Sequence, residues 1–434
     1  MCIRDSFEHR VGTALKVDGV IRSIDLDLAP FDDYGCPPAQ PTKAGAHVIQ
    51  AKVFVDCSYE GDLMARAGVA YAYGREARVT YGESLAGAQP PMSVYAIDPY
   101  VKAGDPQSGL LPGLQSTPVA PVGEADKLTM GYGFRWRFVF KGEGLPIEPP
   151  AHYDPKQFEL YRRAFRDGVD ILAGRVMRGK VDGWEKSGGR VYSGGAGNLA
   201  RALFAPTNYG HNAGYPDGDY ATRARIWKEQ QDFVRGMTHF LRTDPTVPAK
   251  QREIALSVGL EKGAFDETKG YPHQLYVREA RRMVSDYVVT QKDLEGRTHP
   301  ADSVGLASYG VDEWPYATVA LDGQVALMGG YYSMLYLEEQ NRGIYRIPYR
   351  AIVPKKEQCA NLLVPVCVSA SHVAMTSIRM EPVWMILGES AGVAAAMAVR
   401  SGAAVQDVPY AELYPKLRAL AQKVDVPRPK EPRK

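Results

Sequence analysis

Between Ser369 and Met380 the chain crowds hydroxyls at Ser369, Ser371, Thr376 and Ser377, an imidazole at His372 and a guanidinium at Arg379 into one short segment. An imidazole changes charge near neutral pH and a guanidinium keeps its charge throughout. The pair therefore suits proton handling (His372) and stabilisation of a negative charge formed during a reaction (Arg379). An apolar run, Asn361 to Val368, precedes the segment and reads as a short strand. The segment itself reads as a loop, and a helix is expected to begin near Glu381. Pro382 stands where a first-turn proline is tolerated, because its missing N–H would have had no partner there.

In that helix Gly388, Ala391, Gly392, Ala395 and Ala396 recur at helical spacing. Side chains this small let a helix axis approach a sheet or a planar ligand closely. Packing on a sheet is one reading. The other is a ring-binding site, because a helix start offers free N–H groups and the positive end of its dipole to electron-rich oxygens, as on a flavin that becomes negative on reduction. On the second reading Ser371, Pro382, Gly388 and Gly392 border the ring, and the backbone from Pro382 to Trp384 meets its carbonyl edge.

The segments NLLVPVCVSASHVAMTSIR and GESAGVAAAMA resemble the C-terminal flavin-contacting block of a large bacterial family, the FAD-dependent oxidoreductases related to the flavin subunit of heterodisulfide reductase. AKVFVDCSYEGDLMARAGVAYAYGRE, GESLAG, QLYVREARRMVSDYVVT and DSVGLASYGVD resemble that family's other blocks, in its order. The resemblance implies an α/β fold in which a Rossmann-like FAD-binding domain of the glutathione-reductase type is interrupted by an α+β substrate domain. The expected divisions are 1–76 for the first FAD-domain segment, 77–325 for the substrate or cap domain, 326–402 for the returning flavin segment, and 403–434 for a short helix and tail. FAD is the implied cofactor. A small organic substrate would pass hydride to it, and the electron acceptor is not identified.

The resemblance also assigns roles by position. Asp56 and Ser58 fall where related flavoproteins carry an Ala-Thr-Gly turn near the cofactor, although Cys-Ser-Tyr-Glu-Gly replaces Thr-Gly here. Ser58 and Asp62 serve equally well as an N-cap pair for the helix over Leu63 to Ala67, worth about 1 kcal/mol. Gln274 to Tyr287 reads by its charge density as a solvated helix with short-range ion pairs. In the family this block lies at the domain junction, so Arg278 is implied to meet an anionic group of substrate or cofactor. Tyr309 belongs to the crossing back toward the flavin domain, where relatives often carry a His after the Asp. Glu313 follows Asp312 here, so that histidine's role does not transfer. In the loop PTNYGHNAGYPD, His211 is a substrate-side candidate, and turn formation explains the same composition.

Flavoproteins of this kind are expected to open with a strand, a G-x-G-x-x-G turn and a helix that cradles the pyrophosphate. Here MCIRDSFEHRVGTALKVDGVIRSIDLDL reads as a charged scrap and a hairpin turning at Asp18-Gly19, so an N-terminal truncation is expected, with poor FAD binding by this chain alone. MCIRDS also matches one translated frame of a transposon end used in sequencing libraries. Gly195, Gly197 and Ala200 fit the G-x-G-x-x-A spacing, but without the strand before and helix after that give it meaning.

The rest bounds the function. Of 434 residues 45% are apolar and 24% charged, with a net charge of +2, which excludes a nucleic-acid surface built on charge excess. The five cysteines are scattered without a C-x-x-C, so an iron-sulfur cluster, possible in relatives, is unsupported, and no metal set is visible. No membrane span is expected, since the apolar run Val383 to Val399 is short and carries Glu389. The compartment is unread, with cytoplasm the default. Tyr220 to Leu241, capped by Asp219, is the clearest helix of the middle region and reads as core. A different class stays open: a non-redox carbohydrate-associated binding protein on the same scaffold, whose tyrosines and tryptophans would stack on sugars.

Overall fold

Asp18 and Gly19 both take left-handed backbone angles (φ 51° and 71°), as a two-residue turn between twisted strands requires. They join His9–Val17 to Val20–Leu28, and Lys43–Ile49 adds antiparallel to the second strand's far edge. The computed structural model behind this geometry describes residues 6–116, 119–139, 144–169, 190–192, 207–333 and 343–426. The Gly195–Ala200 motif and the last eight residues lie outside them.

Next along the chain, Phe54–Val55 pairs in parallel with Leu362–Leu363. Parallel neighbours need a crossover, and this one contains most of the protein. Asn361 fixes the junction: its side chain accepts from the Ile21 N–H and donates to the Ile21 carbonyl, both at 2.9 Å. A core of Ile21, Phe54, Met64, Leu362 and Cys367 closes beneath.

The crossover has its own core, centred on the helix Tyr220–Thr243. Asp219 caps that helix by accepting from Thr222 at 2.7 Å, and Ile226, Phe233, Met237 and Phe240 form the expected buried face. They pack with Phe134, Trp136 and Phe158. The region beyond is antiparallel, with Gln324–Met328 between Ala317–Leu321 and Pro91–Tyr95.

A third core joins the chain's return to its last helices. The helix Glu381–Ser401 buries Val383, Leu387, Ser390, Ala391, Ala394 and Met397, and it packs on the strand Ser303–Ala307, which pairs with Tyr345–Pro348. By length and composition this helix could cross a membrane. Of its most apolar stretch, 39% is buried inside the protein.

Two expectations are corrected. The segment read as a loop after Ser369 contains a helix, His372–Ile378, and the apolar run before it is strand only at Leu362–Leu363. The charged block Gln274–Tyr287 is no solvated helix: it holds the short strands Leu275–Tyr276 and Arg282–Met283, and Arg278, Glu279, Arg281 and Arg282 are all buried. Apart from the Arg282–Glu279 pair at 3.5 Å, the carboxylates that Arg281 and Arg282 meet lie far away in sequence, and local periodicity cannot register such pairs.

Candidate functional site

Ser371 starts the helix His372–Ile378. Its hydroxyl accepts from the Ala374 N–H at 3.1 Å and donates to the Glu83 carboxylate at 2.6 Å. That capping bond explains why the chain turns helical at this point. It places His372 in the first turn, where its backbone N–H donates to Glu76 at 2.9 Å.

The imidazole of His372 is 1% exposed and fully surrounded. Nδ1 stands 2.8 Å from Glu279 Oε2, while Nε2 stands 2.6 Å from the Tyr316 hydroxyl and 3.3 Å from Glu313 Oε1. Burial by itself would expel the imidazolium proton. The carboxylates of Glu279 and Glu313 outweigh it and hold the pKa up to about 9. At neutral pH both ring nitrogens therefore donate, one to Glu279 and one toward Tyr316, whose own hydroxyl donates to Glu313 at 2.5 Å.

The surrounding charges fit together. Burial works to raise the pKa of Glu279, but His372 and Arg282 prevail and keep it an anion. Arg282 pairs with Glu76 at 2.6 Å, and the Arg75 guanidinium lies over the Tyr316 ring at 4.1 Å. Glu83, which receives the Ser371 hydroxyl, is shifted the other way, its pKa raised chiefly by burial. One oxygen each of Glu83 and Glu313 has no hydrogen-bond partner.

Arg379 closes the same helix and is 2% exposed. Its Nη2 donates to the Asp312 carbonyl at 2.9 Å and carboxylate at 3.0 Å, while its Nε–H has no acceptor. The next helix starts two residues on, with Pro382 in its first turn as expected. The N–H groups of Val383 and Trp384 already donate to the Met380 carbonyl, so the expected backbone donors are partly committed. The buried indole N–H of Trp384 is not, and its ring meets Tyr59 edge-on at 5.2 Å.

Further along the helix, a Cβ added at Gly388 or Gly392 would meet nothing within 4 Å. The face opposite these glycines is the packed one. Contact inside the described protein therefore accounts for Ala391 and Ala394 but not for the two glycines.

The remaining candidates divide. Asp56 is buried and accepts from the Ser58 N–H at 3.0 Å, the Ser58 hydroxyl at 2.6 Å and the Met64 N–H at 2.9 Å. Ser58 in turn accepts from Gly61 at 3.0 Å, so both residues organise the start of the helix Asp62–Arg66, and Asp62 instead pairs with Arg223 and Arg281. Tyr309 is 42% exposed, and its carbonyl accepts from Ser377 at 2.6 Å. Arg278 is buried, lies over the Trp314 ring at 3.6 Å and feels the charge of Arg379. His211 stands apart, in a cleft of about 390 Å³ with Phe158, Phe233, Glu229 and Asp232 that none of the other candidates lines. Burial lowers its pKa.

Sequence reasoning missed Glu76, Glu83, Glu279, Glu313 and Tyr316. Glu279 lay inside a block whose charge density was visible and was assigned to solvent. Glu313 was noticed only as a replacement. Among the described residues no set of three His, Cys, Asp or Glu side chains is arranged to hold a metal ion.

Among known protein families, the model of the FAD dependent oxidoreductase family matches residues 39–417. Neither a curated protein nor a solved structure matches the chain.

Proposed function

Because the chain belongs to the FAD dependent oxidoreductase family, we propose that it oxidises a small organic substrate with a flavin seated against the helix Glu381–Ser401, as in relatives of the heterodisulfide reductase flavin subunit. FAD, when bound, supplies the hydride acceptor. The residues present fit such a group. Gly388 and Gly392 leave open space on the side of the helix turned away from its packed face, where Met385 and Val399 are also exposed, and the uncommitted N–H groups of Trp384 and Arg379 stand at its start. The bare glycine face is the observation that carries the reading, since a flat ligand needs it and no neighbour within the described protein does.

In this reading Pro382, Gly388 and Gly392 border the ring, while Ser371, Asp56 and Ser58 shape the turns beside it. Arg379 supplies fixed positive charge for an electron-rich edge. His372 is saturated by protein partners, so it serves as a charged positioning residue that holds a proton in the chain through Tyr316 to Glu313. Arg278 and Tyr309 fall to the substrate side, His211 belongs to its separate cleft, and the four divisions at 76, 325 and 402 stand as the working domain map.

The test is quenching of FAD fluorescence on titration with the purified chain, repeated with Gly388→Leu. The wild type is expected to quench saturably but weakly, in line with the poor FAD binding expected of this chain alone. The variant, whose new side chain has room to stand in the absence of ligand, is expected to fold with unchanged circular dichroism and bind at least tenfold more weakly. Equal quenching by both proteins, or none by the wild type at any concentration, ends the proposal.

A further inference from the structure

Arg278 is the exception among the buried arginines. It is 3% exposed, and its only hydrogen bond among the described residues runs from Nη1 to the Gly131 carbonyl. Its Nε–H has no acceptor. Every other buried arginine among the described residues faces a carboxylate, as Arg282 faces Glu76 at 2.6 Å, Arg223 faces Asp62 at 2.8 Å and Arg379 faces Asp312 at 3.0 Å.

What surrounds Arg278 makes the deficit larger. Its guanidinium lies over Trp314 at 3.6 Å and near Tyr276 at 5.3 Å, and the Tyr276 ring carries a second guanidinium, Arg135, at 3.8 Å. Among the groups acting on its charge, Arg379 has the largest effect, and like Arg135 it is positive. Burial and then Arg379 pull the pKa of Arg278 down, the signature of a cation held without its counterion. Ring contacts return only part of what burying a cation costs, and an unpaired buried ion is left with the remainder. A fold that supplies a carboxylate to each other buried arginine and withholds one here leaves a place for an anion that arrives from outside.

The chemistry of that anion follows from the donors. With Nη1 committed to Gly131, the remaining edge of the fork, Nε and Nη2, is the one that takes a planar carboxylate in two parallel bonds. The walls are aromatic, so the body attached to the carboxylate meets Trp314 and Tyr276. We propose that Arg278, with Arg135 and Arg379 beside it, anchors the carboxylate of the substrate, which makes the substrate an organic acid. This rests on the flavin reading above only in calling the ligand a substrate; the anion site stands on geometry alone.

The experiment is thermal unfolding of the full chain with benzoate, with its neutral isostere benzamide, and with inorganic phosphate, each without and with saturating FAD. Wild type is expected to gain several degrees with benzoate and nothing with benzamide. Arg278→Met, which removes an uncompensated charge, is expected to unfold at a higher temperature than the wild type and to ignore benzoate. Arg278→Lys keeps the charge but loses the fork and is expected to respond weakly. Equal shifts with benzoate and benzamide, or an Arg278→Met variant that is less stable and still responds, would overturn the assignment. If phosphate alone shifts the wild type and FAD abolishes the benzoate response, Arg278 serves the cofactor's phosphates and the substrate assignment falls. If benzoate shifts the wild type through Arg278 while no FAD is bound, the anion site holds and the flavin reading fails.

Discussion

At the scale of single residues, the imidazole of His372 is held at both ring nitrogens, and its environment makes a signed statement about pH. Its pKa is about 9 in the fold, against the 6.5 that an unfolded chain would show. A raised folded pKa means stability that is complete below pH 6.5 and lost as pH rises through 9. The loss is on the order of 3 kcal/mol, at about 1.36 kcal/mol per unit. The measurement is the difference in urea midpoint between wild type and His372→Gln from pH 6 to pH 10, which removes titrations common to both. A flat difference would mean that His372 is neutral in the fold and that Glu279 and Glu313 do not hold its proton. Glu279→Gln is expected to narrow the same difference curve, because it takes away the partner on Nδ1. The histidine itself was legible from its place in the Ser369–Met380 segment. Its carboxylate partners were not, since Glu76, Glu279 and Glu313 reach it from segments 59 to 296 positions away in sequence.

At the scale of elements, caps and periodicity carried over well and charged strands did not. The turn at Asp18-Gly19, the Asp219-capped helix and the start of the last long helix at Glu381 all rest on local chemistry, which is what a sequence displays. Arg278 to Arg282 reads as a helix face only if its charges meet one another or water. In the fold Arg281 meets Asp62 and Asp217 and Arg282 meets Glu76, so tertiary pairing overrides the local pattern. The helix His372–Ile378 is too short to show a periodicity, and Ser371, its cap, reads in the sequence only as one hydroxyl of a loop. Ser371→Ala is expected to cost more than the roughly 1 kcal/mol of an ordinary cap, because it also strips the buried Glu83 carboxylate of a donor. A urea midpoint unchanged by that substitution would show that Glu83 is satisfied in another way. Gly388→Ala tests the bare face in the opposite sense. With nothing near the new methyl group, it is expected to stabilise the helix by about 0.5 to 1 kcal/mol. A loss of stability instead would mean that a neighbour does pack on that face.

At the scale of the whole molecule, the first segment, the crossover and the return are held by a few long-range fastenings, and Asp62 is the most heavily used. It stands 2.8 Å from Arg223 on the crossover's central helix and 3.0 Å from Arg281, with Arg66 at 3.9 Å one turn along its own helix. Burial favours the protonated acid, but Arg223, Arg66 and Arg281 outweigh it and hold the pKa of Asp62 below its usual 3.8. A depressed folded pKa contributes stability that is present above 3.8 and lost as pH falls through the folded value, so this fastening opens on the acid side. The sequence offered Asp62 as half of a helix cap, whereas the first-turn N–H of Met64 donates to Asp56, and it gave no sign that the partners of Asp62 lie 161 and 219 residues onward. Removing the carboxylate leaves two buried guanidinium groups short of an anion. Asp62→Ala is therefore expected to cost about 3 to 5 kcal/mol, the range for breaking a buried pair from one side. A double-mutant cycle with Arg223→Met separates this from simple loss of packing. The two substitutions together are expected to cost less than the sum of each alone by at least about 1 kcal/mol, within the span seen for residues in contact. Strict additivity would mean that Arg281 alone holds Asp62, and that the crossover helix is fastened to the first segment by its apolar contacts rather than by charge.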